Sequence, residues 1–409
     1  MPGYHRLGQI PHKRHTQFRK PDGTLYYEEL FGTEGFSGNY SNIYYNYPPT
    51  RVKKVEKFMQ VNYEEWPLEV QRHHHLKTAE MTRGGDPVLG RQVLMFNKDV
   101  ALAIAQPNRA MDYFYRSGEC DEVYFVHVGH GVLETNFGLL PYHEGDYIVI
   151  PRGTTYRFKI ATAPIRPAND AAVSTYGQAG RKEADSPDTR FFVIEAHGTI
   201  EPPRRYLNKN GQLLEHSPYC ERDIRCPEEL ETHTERGEYE VRVKVGNTIS
   251  SYWFDFHPIN TVGWDGCEYP WIFNIGDFEP ITGRIHQPPP VHQTFQGPNF
   301  VVCSFVPRKL DYHPLSIPVP YNHSNIDSDE VLYYVNGNFG SRRGIERSSI
   351  TLHPRGIPHG PHPGAVEKSL GAERTEELAV MVDTFYPLKL TAVAHALDDP
   401  AYPYSWFDE

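Results

Sequence analysis

Short apolar segments separated by polar turns recur along this chain. Segment 330–337 (EVLYYVNG) has the composition of a strand, and 350–353 (ITLH) alternates apolar and polar residues with the period of one. Segments 122–128 (EVYFVHV) and 191–198 (FFVIEAHG) are of the same kind. The 27 tyrosines and 35 prolines favour short strands and many turns over long helices. The pattern therefore predicts an all-β fold.

One pattern occurs twice. In each copy a glutamate is followed after six residues by a glycine, in 122–129 and again in 330–337. A Pro-x-Gly turn follows at 151–153 and at 354–356. The copies are 208 residues apart at the glycines and 203 apart at the prolines, close to half of the 409-residue chain. The spacing predicts an internal duplication, and the length suits two barrels, each with its own core.

The second copy carries candidate metal ligands. His323 and Glu330 stand before and at the start of its first strand, and the turn at 354–356 aims His359 back toward that strand. Two imidazoles and one carboxylate form the ligand set of a non-haem Fe(II) centre, which leaves positions open for substrate and oxygen. Spacing alone would also accept manganese, nickel or zinc.

The first copy lacks this ligand set. Tyr115 and Tyr156 stand where the second copy has its two histidines, and Ser117 stands where it has an asparagine. Glu122 alone cannot hold a metal ion. The sequence therefore predicts a packed scaffold barrel without metal, and one metal ion per chain in the second barrel.

Composition and net charge argue against several classes of protein. The net charge of −11, without a basic block, argues against nucleic acid as a partner. No run approaches 18 apolar residues, so no membrane span is expected, and the first residues lack the apolar core of a signal peptide. Five cysteines without a CxxC pair favour a reducing interior. These features predict a cytoplasmic protein.

The remaining segments complete the predicted organisation. Residues 1–200 are expected to form an irregular N-terminal arm and the metal-free barrel, and 201–409 to form the barrel with the metal. The small, polar segment 163–189 reads as an exposed excursion at the barrel rim. Three adjacent histidines, 73–75, are interpreted as a solvated polar face, because successive side chains diverge and cannot easily converge on one ion.

The two motifs together resemble those of a known superfamily. His-x-Asn-x4-Glu-x6-Gly followed by Pro-x-Gly-x2-His is similar to the cupin motifs, in which a second histidine usually stands at the place of Asn325. Among bicupins the chain resembles homogentisate 1,2-dioxygenase, which shares the His-x-Asn pair and the Pro-His-Gly-Pro at 358–361. Segment 261–278 resembles the Val-Gly-Trp-x-Gly segment of the same family. The resemblance implies two double-stranded β-helix (jelly-roll) barrels.

The resemblance also implies an activity. It predicts an extradiol-type dioxygenase that converts homogentisate and O2 to maleylacetoacetate in tyrosine and phenylalanine catabolism. It favours Fe(II), one per chain, held by His323, Glu330 and His359. The expected partners are a small aromatic substrate and O2. Since the family forms trimers and hexamers, a homo-oligomer is expected.

Further site residues follow from the same resemblance. His292, with His286 as the other candidate, is predicted to handle a substrate proton, since histidine exchanges protons near neutral pH. His353 is predicted to contact the substrate or to support a ligand. The other substrate-binding candidates are Asn325, Phe339, Arg342, Arg343 and Arg355.

Two departures from the family pattern keep alternatives open. The gap from Asn325 to Glu330 is one residue longer than in the commonest members, and Phe339 stands where they tend to have tyrosine. One alternative is a Fe(II) cupin dioxygenase for another para-dihydroxy aromatic, such as gentisate or hydroquinone. Another is a non-catalytic bicupin binding protein, against which the intact ligand set argues.

Overall fold

The fold was analysed in a computed structural model that describes residues 3–161, 189–337, 339 and 344–407. Arg342, Arg343 and all but the last residue of the predicted excursion 163–189 lie outside these ranges. Strands form most of the regular secondary structure of the described residues, with only two short α-helices, so the all-β prediction is confirmed. Neither α-helix has the length or the apolar character to span a bilayer.

The strands, in chain order, are β1 His5–Gly8, β2 Tyr27–Gly32, β3 Tyr40–Tyr45, β4 Lys54–Gln60, β5 Glu65–Trp66, β6 His74–Leu76, β7 Arg91–Phe96, β8 Val100–Ala105, β9 Phe114–Ser117, β10 Asp121–Val128, β11 Gly131–Thr135, β12 Gly138–Tyr142, β13 Asp146–Ile150, β14 Tyr156–Ile160, β15 Arg190–Ala196, β16 Ile224–Arg225, β17 Arg236–Val245, β18 Thr248–Phe256, β19 Thr261–Gly266, β20 Trp271–Asn274, β21 Gln293–Gly297, β22 Phe300–Phe305, β23 Arg308–Lys309, β24 Asp329–Asn336, β25 Ile350–His353, β26 Arg374–Thr375, β27 Leu378–Thr384 and β28 Lys389–Thr391. The α-helices are α1 Ala365–Ser369 and α2 Ala392–Leu397. Short 3-10 turns occupy Glu34–Phe36, Thr78–Glu80, Arg204–Tyr206, Glu221–Asp223, Ile275–Asp277, Pro289–His292 and Tyr402–Tyr404.

Both halves of the chain build the same antiparallel sheet. In the first half the neighbouring strands run β13-β10-β15-β8-β7, and in the second they run β25-β24-β27-β22-β21. The pairing of β10 with β15 shifts register between Val126 and Val128, and that of β24 with β27 shifts between Tyr334 and Asn336, at the same place in the repeat. This shared order and shared bulge confirm the bicupin prediction.

The repeated glycine of the motif has the same role in both copies. Gly129 and Gly337 both lie in the left-handed region, with φ of +104° and +105°. A Cβ atom at Gly337 would lie 2.1 Å from the carbonyl oxygen of Glu376. Because only glycine fits such a bend, the motif glycine fixes where the motif strand ends, which is β10 in the first barrel and β24 in the second.

The interiors of the two barrels differ. The first is filled by aromatic and aliphatic side chains, among them the buried rings of Tyr113, Tyr115, Tyr124, Tyr142, Tyr156 and Phe158. The second has a smaller apolar cluster, formed by Cys303, Leu332, Tyr334, Phe339, Ala379 and Met381. The rest of its interior is polar and contains the predicted metal ligands.

The two halves exchange short strands. Near the C-terminus, β28 pairs with β7 in the sheet of the first barrel, whereas β6 pairs with β25 in the sheet of the second. A shared core lies between the sheets, where the Tyr147 hydroxyl is 2.9 Å from Ser304 Oγ. Each side of the predicted boundary at residue 200 therefore contributes a strand to the sheet of the other side. The assignment of two domains stays a prediction.

The N-terminal region is more regular than the sequence indicated. Instead of an irregular arm, β1, β2 and β3 form a four-stranded sheet with β19. Ile43 and Tyr45 on β3 pack against Trp264 on β19, which is fully buried. The sheet was not predicted because β19, which pairs with both β1 and β3, lies more than 200 residues away in the sequence.

Candidate metal centre

His323 and His359 are directly paired across an antiparallel bridge. The His323 amide donates to the His359 carbonyl at 2.8 Å, and the His359 amide donates back to the His323 carbonyl at 2.9 Å. Side chains of directly paired residues leave the same face. The two imidazole centroids accordingly lie 4.3 Å apart. Backbone pairing thus brings together the two predicted histidine ligands from loops 36 residues apart.

Glu330 completes the cluster from the start of β24. Its Oε2 atom lies 3.5 Å from His323 Nε2, and its Oε1 atom lies 3.4 Å from His359 Nε2. Ligand atoms bound to one ion at about 2.0–2.2 Å lie roughly 3–3.5 Å apart. The buried His359 Nε2 has no hydrogen-bond partner among the described residues. The donor set and its spacing therefore fit a single metal ion.

His353 and Asn325 hold the carboxylate in place. His353 Nδ1 lies 2.8 Å from Glu330 Oε1, and Asn325 Nδ2 donates to Glu330 Oε2 at 3.4 Å. Burial alone would raise the pKa of Glu330, but interactions with His323, His353 and His359 hold it well below its usual range. The glutamate is thus ionised, as a metal ligand must be.

His353 is itself held in place by contacts with Tyr402 and His359. It is fully buried, its Nε2 atom lies 3.2 Å from the Tyr402 hydroxyl, and its ring stacks on that of His359 at 4.4 Å. Both ring nitrogens are therefore engaged, one with Glu330 and one with Tyr402. Such partners orient a metal ligand and tune its basicity.

The histidines 73–75 are buried, so their interpretation as a solvated face is wrong. His74 Nδ1 lies 3.0 Å from Asp398 Oδ1, and His75 Nε2 lies 2.8 Å from Ser349 Oγ. The side chains diverge toward different partners, as expected for successive residues of a strand. They are buried because β6 joins the sheet of the second barrel and the C-terminal residues cover it.

His73 is a residue of the site that the sequence did not indicate. Its ring lies 5.3 Å from that of His353 and 5.9 Å from that of His359. Its Nε2 atom donates to the Pro358 carbonyl at 3.1 Å, and Trp406 packs on it at 5.2 Å. His73 thus supports the backbone next to a predicted ligand. No spacing rule links a residue this early in the chain to the motif.

The two candidates for proton transfer have different surroundings. His292 is buried and stacks on Phe305 at 4.5 Å. Burial, followed by the positive charge of Arg308, lowers the pKa of His292 to about 3. His292 is therefore a neutral ring in the wall of the second barrel.

His286 is linked to the metal cluster through one tyrosine. Its Nε2 atom lies 3.0 Å from the Tyr321 hydroxyl, and its Nδ1 atom lies 3.3 Å from Asp311 Oδ2. The Tyr321 ring is 6.2 Å from the ring of His323. The roles of His286 and His292 both stay predictions.

The substrate-binding candidates separate into two groups. Phe339 lies in the apolar interior, 4.9 Å from the ring of Tyr334. The Arg355 guanidinium instead contacts Asp329 at 3.2 Å and donates to the carbonyls of Thr384 and Phe385. These contacts brace strand ends, and a substrate role for Arg355 stays a prediction.

The corresponding position in the first barrel contains a different cation. Arg91 Nη2 lies 2.6 Å from Glu122 Oε1, and the Tyr156 hydroxyl donates to Glu122 Oε2 at 2.7 Å. Arg91 also pairs with Glu195 and lies over the ring of Tyr115, 5.6 Å from its centroid. The two tyrosines that replace histidines thus surround a guanidinium instead of a metal ion. No sequence pattern pointed to Arg91, which lies on β7, a strand outside the repeated motif.

Two barrels of one topology, of which the second has a His–Glu–His cluster, define a bicupin with a candidate metal centre. No protein-family model matches the chain. The protein named "Putative dioxygenase SSO1533", from Saccharolobus solfataricus, is 42% identical over 407 residues, which cover 99% of each chain. A homogentisate 1,2-dioxygenase of Bradyrhizobium diazoefficiens is 24% identical over 298 residues, which cover 69% of this chain and 60% of that one.

The chain therefore belongs to a divergent, homogentisate dioxygenase-like family of cupin dioxygenases, and the resemblance predicted from the sequence is confirmed. Among solved structures, a cupin 2 conserved barrel domain protein of Leptotrichia buccalis aligns with a TM-score of 0.31 and 8% identity. That alignment covers 78% of this chain and 99% of the other. A structural similarity this low supports no conclusion about this chain.

Proposed function

We propose that this protein cleaves the ring of homogentisate with O2 to give maleylacetoacetate, using Fe(II) at the candidate metal centre. The observation that carries the proposal is the convergence of His323, Glu330 and His359. These residues lie in a chain related to named homogentisate dioxygenases. Both atoms of O2 enter the product. An assembly of three or six copies stays a prediction.

Iron(II), when bound, supplies the redox chemistry that couples the aromatic ring to O2. The chain supplies the positioning. His353 and Asn325 hold Glu330 by the contacts described above, so that its carboxylate faces His323 and His359. Three protein ligands leave coordination positions for the substrate and O2, whereas a fourth would close one of them.

Charge at the centre favours homogentisate over gentisate. Glu330 already contributes one negative charge to the metal. A second anionic chelating group, such as the ring-bound carboxylate of gentisate, is disfavoured there. Homogentisate has its carboxylate on a methylene arm, so protein donors can bind that group away from the metal.

We propose that His286, rather than His292, accepts the phenolic proton of the substrate. A ring with a pKa of about 3 is a weak base at neutral pH, which argues against His292. His286 is oriented by Asp311 and reaches toward His323 through Tyr321. Substitution of each histidine by asparagine forms a matched pair. His286→Asn is expected to lower kcat with iron retained, whereas His292→Asn is expected to affect it less.

Oxygen uptake and product absorbance, measured with homogentisate, gentisate and hydroquinone in turn, test the substrate assignment. We expect kcat/KM for homogentisate to exceed that for the others by more than about tenfold, equivalent to about 1.4 kcal/mol of transition-state stabilisation. Comparable turnover of gentisate would show that the substrate assignment is wrong. Full iron loading without turnover of any of the three would instead favour a binding protein.

A further inference from the structure

A cavity of about 330 Å³ lies at the mouth of the first barrel. It is bounded by the residues that precede β10, by the end of β15, and by the turn that joins β17 to β18. Tyr63 and Phe96 form an aromatic side of this cavity, and Lys244 and Glu195 form a charged one. The first barrel therefore has a polar cavity at this end, although its interior is filled.

Three side chains with metal-binding atoms line this cavity. Glu119, Cys120 and His197 each offer one ligand atom, and these atoms lie within 4.8 Å of one another. Cys120 Sγ lies 3.6 Å from His197 Nδ1. Glu119 Oε1 accepts a hydrogen bond from the Gly246 amide at 2.7 Å, which fixes the carboxylate and leaves its second oxygen for another partner.

The spacing fits tetrahedral coordination. With Zn–S near 2.3 Å and Zn–N near 2.0–2.1 Å, a tetrahedral angle places sulfur and nitrogen roughly 3.5–3.6 Å apart. We propose that Glu119, Cys120 and His197 form a site for Zn²⁺ or a similar thiophilic divalent cation, whose fourth position opens into the cavity. Thiolate, imidazole and carboxylate are all ligands that zinc accepts.

This site is chemically distinct from the candidate metal centre. Within the first barrel the motif carboxylate Glu122 is already paired with Arg91, so the cation binds at the mouth and not in the interior. Burial raises the pKa of Cys120 to about 12, so the free site has a thiol. Binding forms the metal–sulfur bond, breaks the S–H bond and releases one proton to solvent, with no change of oxidation state.

Another cluster of similar composition is less suited to a metal. Glu134, His233 and His257 also lie close together. However, Glu134 is already paired with Arg157 at 2.7 Å and with Lys159 at 3.0 Å. A divalent cation there would have to displace two fixed positive charges, whereas none of the ion pairs among the described residues involves Glu119.

Cobalt is a suitable probe, because only a thiolate ligand gives sulfur-to-cobalt charge-transfer absorption. The titration uses the full-length double variant His323→Ala/His359→Ala, which disables the candidate metal centre. We expect one equivalent of Co²⁺ to produce the charge-transfer band, and Zn²⁺ to abolish it by displacement. The same titration of the Cys267→Ser control in this background is expected to keep the band.

Cys120→Ser in the same background is expected to lose the charge-transfer band. Because Cys120 is buried, His197→Ala provides a second variant at an exposed residue, with cobalt affinity expected to fall by more than about tenfold. Absence of the band before these substitutions, or its survival in Cys120→Ser, would overturn the proposal and leave a thiol–imidazole hydrogen bond. Unchanged affinity in His197→Ala would also contradict it.

Discussion

The two barrels have a glutamate at the same position of corresponding strands, β10 and β24, but they balance its charge in different ways. In the first barrel the cation is Arg91, 2.6 Å from Glu122. In the second, Glu330 faces His323 and His359, whose nitrogens lie 3.4–3.5 Å away and fit a metal ion. A buried carboxylate without a cation is costly. The comparison shows that one fold can place either a guanidinium or a cluster of candidate metal ligands beside a buried motif carboxylate.

The acid on the neighbouring strand shows the same contrast. Glu195 pairs with Glu122 in the register of the first sheet, and Asp383 pairs with Glu330 in that of the second. Burial would raise the pKa of Glu195, but Lys244 and Arg91 lower it. Burial, and then the charge of Glu330, raise the pKa of Asp383 well above its usual range. The acid on the neighbouring strand therefore lies beside two fixed cations in the first barrel, whereas in the second its main charged neighbour is the motif carboxylate itself.

The largest expected effect on activity comes from substituting the second histidine of the motif, and the residue at the corresponding position of the first barrel provides the control. His359→Ala removes a predicted ligand and should abolish turnover and most iron binding, while the fold persists. Tyr156→Phe is the matched control, because Tyr156 stands at the corresponding place of the first barrel. It should keep iron and activity. Iron analysis and oxygen uptake measure both variants. Full iron and full activity in His359→Ala would show the ligand assignment to be wrong.

Removing the cation of the first barrel should destabilise the protein. Arg91→Met leaves Glu122 and Glu195 buried without their shared partner, and the free energy of unfolding is expected to fall by about 3–5 kcal/mol. Adding Glu122→Gln to the same chain should recover part of this loss. Urea denaturation measures both. If Arg91→Met were as stable as the unaltered protein, the guanidinium would not be what balances the motif carboxylate.

A smaller effect is expected behind the metal ligands. His353→Ala frees Glu330 on one side and should lower kcat/KM and iron affinity by about 10–100-fold, without preventing iron binding. Tyr402→Phe removes only the more distant hydrogen bond and should cost less. Activity of both variants at saturating iron separates rate from affinity. Equal losses in the two variants would contradict the order of contacts from Tyr402 to His353 to Glu330.

The last prediction concerns pH and two of the buried histidines, His257 and His292. Burial is the largest cause that lowers the pKa of His257, which packs on Phe114, to about 4, and that of His292 to about 3. Below the unfolded pKa of about 6.5, the unfolded chain gains protons that the folded chain does not bind. Stability is therefore lost as the pH falls from 6.5 toward 4, by up to about 1.4 kcal/mol per pH unit for each histidine.

The substitutions His257→Asn and His292→Asn should each flatten this decline. Unfolding free energies from urea denaturation at pH 6.5, 5.5 and 4.5 measure the slope. An unchanged slope in both variants would mean that neither ring is held neutral in the folded state.

The motif spacing was sufficient to predict the repeat, the bends at Gly129 and Gly337, and the convergence of three candidate ligands. These features depend on residues close together in the sequence or related by the duplication. The role of Arg91 and the burial of His73 were not predictable in this way. Arg91 lies on a separate strand outside the motif, and His73 is covered by Trp406 from the far end of the chain. Partners brought together only by tertiary structure leave no local pattern.

The exchange of β6 and β28 between the sheets has a consequence for synthesis on the ribosome. Domains generally fold as units during translation, the N-terminal one first. Here the sheet of the first barrel includes β28, residues 389–391, which leave the ribosome after the strands of the second barrel. The edge of β7 therefore stays open while the second barrel is being made. A nascent chain stalled before residue 389 should expose that edge, and limited proteolysis of such chains would detect it.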